Sequence, residues 1–522
     1  MQEVSNQWKE QHNNTLLNES FVEVSLNISD PIALGVAEAR DNGAIYISDS
    51  SQITDGVDNT PPPYCTLEQN LWCLDGNRKA LGEGDVGNNS YIGTELSDDT
   101  CIYRRHPIVT IDFPRVFTKL IPGVTITWSK TYGEFADIFS VVAYNGGTIV
   151  AEKEITDNRS ITSIIFVDID NYDRIDIIVK KWCLPYRRAR IEEIIVGLTK
   201  VYYKGDLFGY SHSQSVDPVS TSLPKNEIKF SIDNLDGEYN PHNPKGLAQY
   251  LMERQEIKVR YGLKMDDSSV EWIKGGTFYL SEWYAKQNAI TAEFTARDVL
   301  EFMSAIRPAE TNLPSSSRSL YDLANTILTE VNLPTTWVIA EELKLLYTNA
   351  PLPEDTYANL LQLIANAGEC TLYQDRDGVL SIAKLTETVT DYKINSFNSY
   401  SKSEITLSKP IKEVRVKVFS YSNATDSTSS EVSNTVGGEG EIITVNNPLV
   451  TDTSRATSLA RWLTTHLGHR ASLDSSWRAD VRLDALDIVN NENIYASNKV
   501  RITDVVFKYN GAFTGTGKGK VI

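Results

Sequence analysis

The chain has 522 residues, of which 41% are hydrophobic and 23% charged, and its 50 Lys and Arg against 69 Asp and Glu leave a net charge of −19. That length predicts about three or four domains. Ordinary globular usage excludes general disorder, and the acidic balance argues against bulk binding to nucleic-acid phosphate or an anionic membrane surface.

The first residues, MQEVSNQWKE, hold no apolar run, so no secretory signal is expected there. Residues 4–18 read as a short arm or helix with Val4, Trp8, Leu16 and Leu17. Val22, Val24, Leu26 and Ile28 then alternate with polar residues, which predicts a first strand. Residues 29–105 are punctuated by Asp, Asn, Gly and Pro and read as loops with short strands. From 107 to 203 six strand signals follow without a helical period: Ile108–Phe113, Val124–Trp128, Ile138–Tyr144, Ile161–Val167, Ile175–Val179 and Ile191–Val196. Dense short strands of this kind predict an antiparallel β-sandwich of jelly-roll type.

Further strands are predicted at Glu227–Ile232, Ile257–Tyr261, Thr277–Trp283 and Ile290–Ala296, with a short helix at Gly246–Arg254. Leu320, Leu323, Ala324, Ile327, Leu328 and Val331 follow helical spacing, with Ser319 as N-cap and Asp322 three residues on. A second helix carries Tyr357, Leu360, Leu361, Ile364 and Ala365 and ends at Gly368. A hairpin joins Cys370–Tyr373 to Val379–Ala383 through Asp375–Gly378. Strand Glu413–Phe419 leads into a Ser/Thr/Asn/Gly stretch at 420–440, read as a mobile loop or hairpin tip. A third helix holds Ala456, Leu459, Ala460, Leu463 and Leu467, and strands close the chain at Trp477–Leu483 and Val500–Tyr509.

Motifs for catalysis are weak. Gly82–Gly87 matches GxGxxG in letters, but no strand precedes it and its acids would face the phosphates, so it reads as a loop. The tail Gly515–Gly519 lacks the spacing of a P-loop, and neither GxSxG nor HExxH occurs. His466 and His469 share a spacing that could hold a metal but have no third ligand nearby. Asp168–Asp173 and Asp233–Gly237 resemble Ca²⁺ loops in composition, yet Val179 and Pro244 stand where the closing Glu belongs, and Asx turns account for both. The expectation is no catalytic residue, no metal ligand and no cofactor, with Ca²⁺ at these loops as the alternative. The five Cys form no CxxC pair. Cys65 and Cys73 could pair with each other, and reduced thiols are the expectation.

Two constellations carry more information. Trp128, Tyr132, Tyr144, Trp182 and Tyr186 make the sandwich rich in aromatics, and Lys180–Arg190 is locally basic in an acidic chain. Aromatic faces stack on sugars and Arg binds hydroxyl or acidic groups, so Trp182, Tyr186, Arg187 and Arg188 are candidates for glycan or partner contact. The competing reading makes Trp182 a core residue and pairs the Arg cluster with an acidic neighbouring subunit. The second constellation, Phe230–Leu247, ends a strand in a self-bonded polar turn. Asp233, Asn234, Asp236, Asn240 and Pro241 read as a structural corner rather than a catalytic centre.

The run with "SIDNLDGEYNP" and "YLMERQEIKVRYG", together with "AGECTLYQDRDGVLSIAKL", "ATSLARWLTTHL" and "ITDVVFKYNGAFTGTGKG", resembles bacteriophage tail-tip and baseplate hub proteins. "CTLEQNLWCLDG" at 65–76 and the 107–203 sandwich resemble the carbohydrate-module-like domain ahead of such hubs. The resemblance implies a fold that is mainly β with a few helices, a jelly-roll-like β-sandwich followed by hub-type β-barrel domains. It divides the chain into an arm and first strand at 1–30, a loop-rich decoration at 31–106 and the sandwich at 107–203. A first hub-like barrel at 204–310, a helix-containing α/β hub domain at 311–401 and a second hub-like β domain with one helix at 402–522 follow.

The implied function is structural and non-enzymatic: a trimeric, pseudo-sixfold ring around the DNA channel of a virion tail tip, assembled in the bacterial cytoplasm. Implied partners are further copies of the chain, other tail or baseplate proteins, the tail tube, host-surface glycan, and genomic DNA that passes without specific binding. The chain stops at Ile522, so the long C-terminal hydrolase or fibre region of some tail-tip proteins is not expected. Two alternatives stay open: a carbohydrate-binding receptor-binding protein or adhesin, and a polysaccharide-degrading enzyme with two facing carboxylates.

Overall fold

Alternating apolar residues build most of this protein, and the strands they form bury one face each. A computed structural model describes every residue except 15–17, 42–43, 47–52, 55–60, 73–75, 77, 81–89, 287–289 and 493–496. Five helices appear among the described residues: α1 Asn6–Asn13, α2 Pro31–Leu34, α3 Leu320–Val331, α4 Tyr357–Ala367 and α5 Thr453–Leu467. No described helix is long and apolar enough to cross a membrane. The chain is mainly β and separates into two compact units, each assembled from distant stretches: 25–201 with 237–256, and 1–24 with 202–236 and 257–522.

The first strand, β1, spans Ser20–Ser29. In the unit of 25–201, two antiparallel sheets follow from the dense strand signals. The strands are β2 Glu38–Asp41, β3 Ile108–Phe117, β4 Ile121–Thr127, β5 Ala136–Asn145, β6 Thr148–Ile155, β7 Thr162–Ile169, β8 Tyr172–Trp182 and β9 Glu193–Ile195. One sheet runs β6-β5-β8-β3-β2 and the other β7-β4-β9. Each of the six predicted strand segments overlaps one of these strands, Ile191–Val196 only over Glu193–Ile195. Their inward residues, among them Ile111, Val124, Phe139, Val141, Ile177 and Val179, form one core. Gly123 in β4 has φ +147°, and a Cβ there would sit 1.8 Å from the Ile165 carbonyl oxygen, so only glycine lets β4 and β7 approach this closely.

In the other unit the strands are β10 Leu207–Ser215, β11 Lys225–Asp233, β12 Glu256–Lys264, β13 Val270–Ala285, β14 Thr291–Arg297, β15 Thr371–Gln374, β16 Leu380–Ala383, β17 Glu404–Leu407, β18 Ile411–Tyr421, β19 Ser427–Thr435, β20 Glu441–Val445, β21 Ala471–Trp477, β22 Ser497–Tyr509 and β23 Phe513–Val521. Within this unit the path of the long sheet is β12-β13-β14-β11-β10-β22-β23-β21-β17. This path is open: the pairings trace no closed barrel among the described residues, and the jelly-roll and barrel assignments go beyond them. β19-β18-β20 form a separate sheet. Val414 and Val416 of β18 share a core with Leu459 and Leu463 of α5.

The helical signals hold in detail. Ser319 Oγ accepts from Asp322 N at 3.0 Å at the start of α3, and the Gly368 amide donates back to Ile364 at the end of α4. The expected hairpin forms between β15 and β16. Three expectations change. The stretch 420–440 contains a strand, β19, whose mostly Ser and Thr residues pair one by one along β18. Gly246–Arg254 holds only one 3₁₀ turn, Leu247–Tyr250, since the prolines before it leave little room for α-helix. The strand predicted over Trp477–Leu483 stops at Trp477, where the Asp480 carboxylate turns back onto the Arg482 amide and guanidinium.

Buried polar groups fix how this unit closes. Arg376 donates to Asp484 at 2.7 Å and to the carbonyls of Lys274 and Leu483 at 2.9 and 2.8 Å. His212 is bonded on both ring nitrogens, to the Tyr261 hydroxyl and to Asn226 Oδ1, each at 2.8 Å. The Asn226 oxygen takes the Nε2 proton, which leaves Nδ1 to accept from Tyr261, a neutral ring. Burial agrees and lowers His212 to about 4. Asp298 caps the turn Val299–Met303 through Leu300 N, while its other oxygen has no hydrogen-bond partner. Burial pushes its carboxyl up to about 7.

Two outcomes follow. Arg376→Ala strands Asp484, whose side chain keeps 24% of its surface in water. The loss should be about 2–3 kcal/mol, less than for a fully buried pair, read as a lower urea midpoint, with Arg376→Lys in between. Asp298 holds a proton in the fold up to pH of about 7, whereas an unfolded Asp releases it near ~3.9. Its stabilisation is complete below ~3.9 and is lost as pH rises through the folded value. His212 acts in the opposite sense, weakening the fold as pH falls from ~6.5 toward about 4. The urea midpoint of Asp298→Asn, which keeps the cap, should therefore fall less between pH 4 and 7 than that of the natural chain, as an expectation on the order of a few kcal/mol.

Candidate functional site

The aromatic and basic residues singled out in the sandwich gather at the end of β8 and in the stretch after it. Trp182 is the last residue of β8 and points inward, fully buried. Its ring meets Trp128 edge to face at 5.9 Å, a geometry that adds to apolar burial. The indole Nε1 donates to Glu134 at 2.9 Å, and the other Glu134 oxygen accepts from Arg187 Nε at 2.8 Å. Arg187 continues to the Gln69 carbonyl. A buried chain Trp182–Glu134–Arg187–Gln69 thus ties segments more than a hundred residues apart. Trp182 offers no ring face to a sugar, and the core reading is the one its surroundings fit.

Arg190 forms a bidentate pair with Glu68, whose Oε1 lies 2.8 Å from Nη1. Glu68 also accepts from the Arg188 amide at 2.7 Å. Burial raises the Glu68 carboxyl, and the Arg190 guanidinium more than offsets it, so the group sits below its ordinary value. The guanidinium lies 4.8 Å from the Tyr132 ring centroid, a cation–π contact. Arg188 donates to the carbonyls of Gly93 and Thr94. Lys180 and Lys181 pair with Glu154 at 2.6 Å and Asp137 at 2.7 Å. The acids that neutralise the basic stretch are therefore in the same unit, not on a neighbouring subunit. Glu68 and Glu134 were invisible as partners in the sequence, since neither lies near the basic run.

Of the four candidates only Tyr186 is exposed, at 44%. Trp72, not singled out as a contact residue by the sequence reading, is 64% exposed. The only local signal was its place in the "CTLEQNLWCLDG" segment.

The corner residues lie apart from this cluster. Asp233 Oδ1 accepts from Leu235 N and Asn240 Oδ1 from His242 N, both Asx turns, and Asn234 N donates to the Ile290 carbonyl. Asp233, Asn234 and Asp236 belong to one unit and Asn240 and Pro241 to the other. In the two calcium-like loops, Asp168 accepts from the Tyr250 hydroxyl and Asp173 from Gly146 N. Among the described residues no group of three or more His, Cys, Asp or Glu is placed to hold a metal ion. His466 lies edge-on against Trp462. Cys65, Cys101, Cys183 and Cys370 are free thiols; Cys73 and the Gly82–Gly87 motif lie outside the described residues.

A cavity of about 230 Å³ lies within the other unit and includes Asp298, Tyr373, Gln374, Arg376 and Asp484 in its walls. Arg376 and Asp484 are already paired with each other across it.

No protein-family model matches the chain, and no curated protein matches it. Solved structures do. A tail protein from Neisseria meningitidis MC58 is 12% identical, covering 61% of this chain and 93% of that one, with a TM-score of 0.43. The 43 kDa tail protein of prophage MuSo2 from Shewanella oneidensis is 12% identical over 61% and 95%, TM-score 0.42. Prophage tail protein gp18 from Listeria monocytogenes EGD-e is 13% identical over 61% and 91%, TM-score 0.39. The chain is thus similar, over 61% of its length, to phage tail proteins, the kind of protein its motifs resemble.

Proposed function

We propose that this protein is a structural, non-enzymatic component of a phage tail tip or baseplate, part of the virion. In this reading its 204–522 half forms hub-type barrel domains that close, three copies together, into a ring around the DNA channel. Neighbouring tail proteins and the tail tube dock on that ring. The jelly-roll-like sandwich decorates it and touches host-surface glycan.

One observation carries the reading. β17, the last strand of the long sheet, pairs on one side only among the described residues, and all four of its residues are exposed. Leu407 is 66% exposed, and Phe397, just ahead of the strand, is 93% exposed. Ile405 lies opposite Leu473, a buried residue, so the core face runs on past the covered part of the sheet. An apolar edge strand left open is a template for pairing with another chain. Copies of a chain with net charge −19 repel one another except at such a patch. The same charge suits a channel wall from which DNA slides without sticking.

Light scattering and cryo-electron microscopy of the purified chain test this. Three-copy rings are expected, with acidic side chains facing the lumen. Ile405→Lys combined with Leu407→Glu should give monomers whose melting temperature is unchanged, since both side chains are exposed. A chain that stays monomeric at every concentration removes the ring, and a neutral or basic lumen removes the DNA-slip argument.

A further inference from the structure

The segment Thr66–Trp72 is built as a display. Thr66, Glu68 and Leu71 are buried, while Leu67, Gln69, Asn70 and Trp72 are exposed. Glu68 anchors it through Arg190 and the Arg188 amide. Arg187 holds the Gln69 carbonyl, and Arg78 the Asn70 carbonyl. The second segment it is tied to carries Leu184 and Tyr186, both exposed. That segment is fixed by Ser97: its carbonyl accepts from Tyr186 N, and its hydroxyl accepts from Arg187 N and donates to the Leu184 carbonyl.

Two residues here adopt the left-handed conformation without being glycine, Asn70 at φ +63° and Tyr186 at φ +56°. For a bulky residue such as Tyr that conformation costs on the order of 1–3 kcal/mol, and such strain clusters at ligand-binding sites. A 64% exposed Trp and a 76% exposed Leu on the tethered loop add apolar surface.

Charge decides what fits. Between Lys180 and Arg190, Lys180, Lys181, Arg187 and Arg190 are each in an ion pair with Glu154, Asp137, Glu134 or Glu68. Arg188 is spent on backbone carbonyls. No cation of this run is left to attract an acidic polymer. The exposed set consists of two aromatic rings, two leucines and two neutral amides; the rings stack on sugar C–H faces, the leucines widen the apolar surface and the amides hydrogen-bond to hydroxyls.

We propose that Leu67, Gln69, Asn70, Trp72, Leu184 and Tyr186 form a binding surface for an uncharged polysaccharide. The proposal rests on the glycan contact in the function given above and supplies its residues and ligand class.

The test measures retention of the full chain on chitin, cellulose and mannan, and on the acidic polymers polygalacturonate and hyaluronan, at low and high salt. Binding to at least one neutral polymer, insensitive to salt, is expected. Trp72→Ala and Tyr186→Ala should each weaken it by about tenfold, with Trp72→Phe in between and the urea midpoint of Trp72→Ala unchanged. Neutral-polymer binding untouched by both Ala variants overturns this site and leaves the glycan contact standing elsewhere. Binding of acidic polymers alone overturns the ligand class. Retention on none of the five overturns the site and the glycan contact together. A crosslinker placed at position 72 that captures another polypeptide in place of sugar also overturns the site.

Discussion

Charges removed from water must be matched, and in this protein the matching is what joins distant stretches of chain. Glu134 with Arg187 and Glu68 with Arg190 do this in one unit; Arg376 with Asp484 does it in the other. Each pair is held by further hydrogen bonds to backbone or indole groups, the condition under which a buried pair specifies one arrangement rather than merely costing desolvation. Glu68 and Glu134 fasten the loop-rich stretch before the sandwich, whose Ala33, Ala39, Ile53, Tyr91 and Tyr103 also join the sandwich core. Its tethers are electrostatic as well as apolar, where the sheets are set by apolar burial.

This division explains what could be read in the sequence. Strands and helices obey local rules: the apolar run over Ile138–Tyr144, the cap at Ser319 and the helical spacing from Leu320 to Val331 all appear where the pattern puts them. The aromatic and basic run at the end of β8 was legible as composition but not as geometry. Trp182 as a core residue or a ligand contact depends on which face of β8 it takes, and that depends on Glu134, 48 residues away. The strand β19 was missed because Ser, Thr, Glu and Asn fill every position but Val432, so there was no hydrophobic period to find. The exposure of Trp72 follows from the burial of Glu68, an anchor that no local rule announces.

The two units differ in what they leave uncovered. The sandwich unit leaves a small tethered display of rings, leucines and amides, besides scattered exposed residues such as Ile149 and Phe166. The other unit leaves a sheet edge, in which backbone groups as well as Ile405 and Leu407 lack cover. Side chains on a tethered loop suit recognition of a small repeating ligand; an open ladder suits another polypeptide.

The helix α1 has a consequence for synthesis. Its Trp8 is buried, and the carbonyls of His12 and Asn14 accept from Arg478, with the His12 ring on the Ala479 carbonyl. These partners leave the ribosome more than 460 residues after the helix does. For that interval the nascent chain carries α1 without the partners that cover Trp8, and the unit it belongs to stays incomplete. That unit closes only once residues 478 and 479 have been made, a long-range contact that slows its folding whatever order its sheets form in.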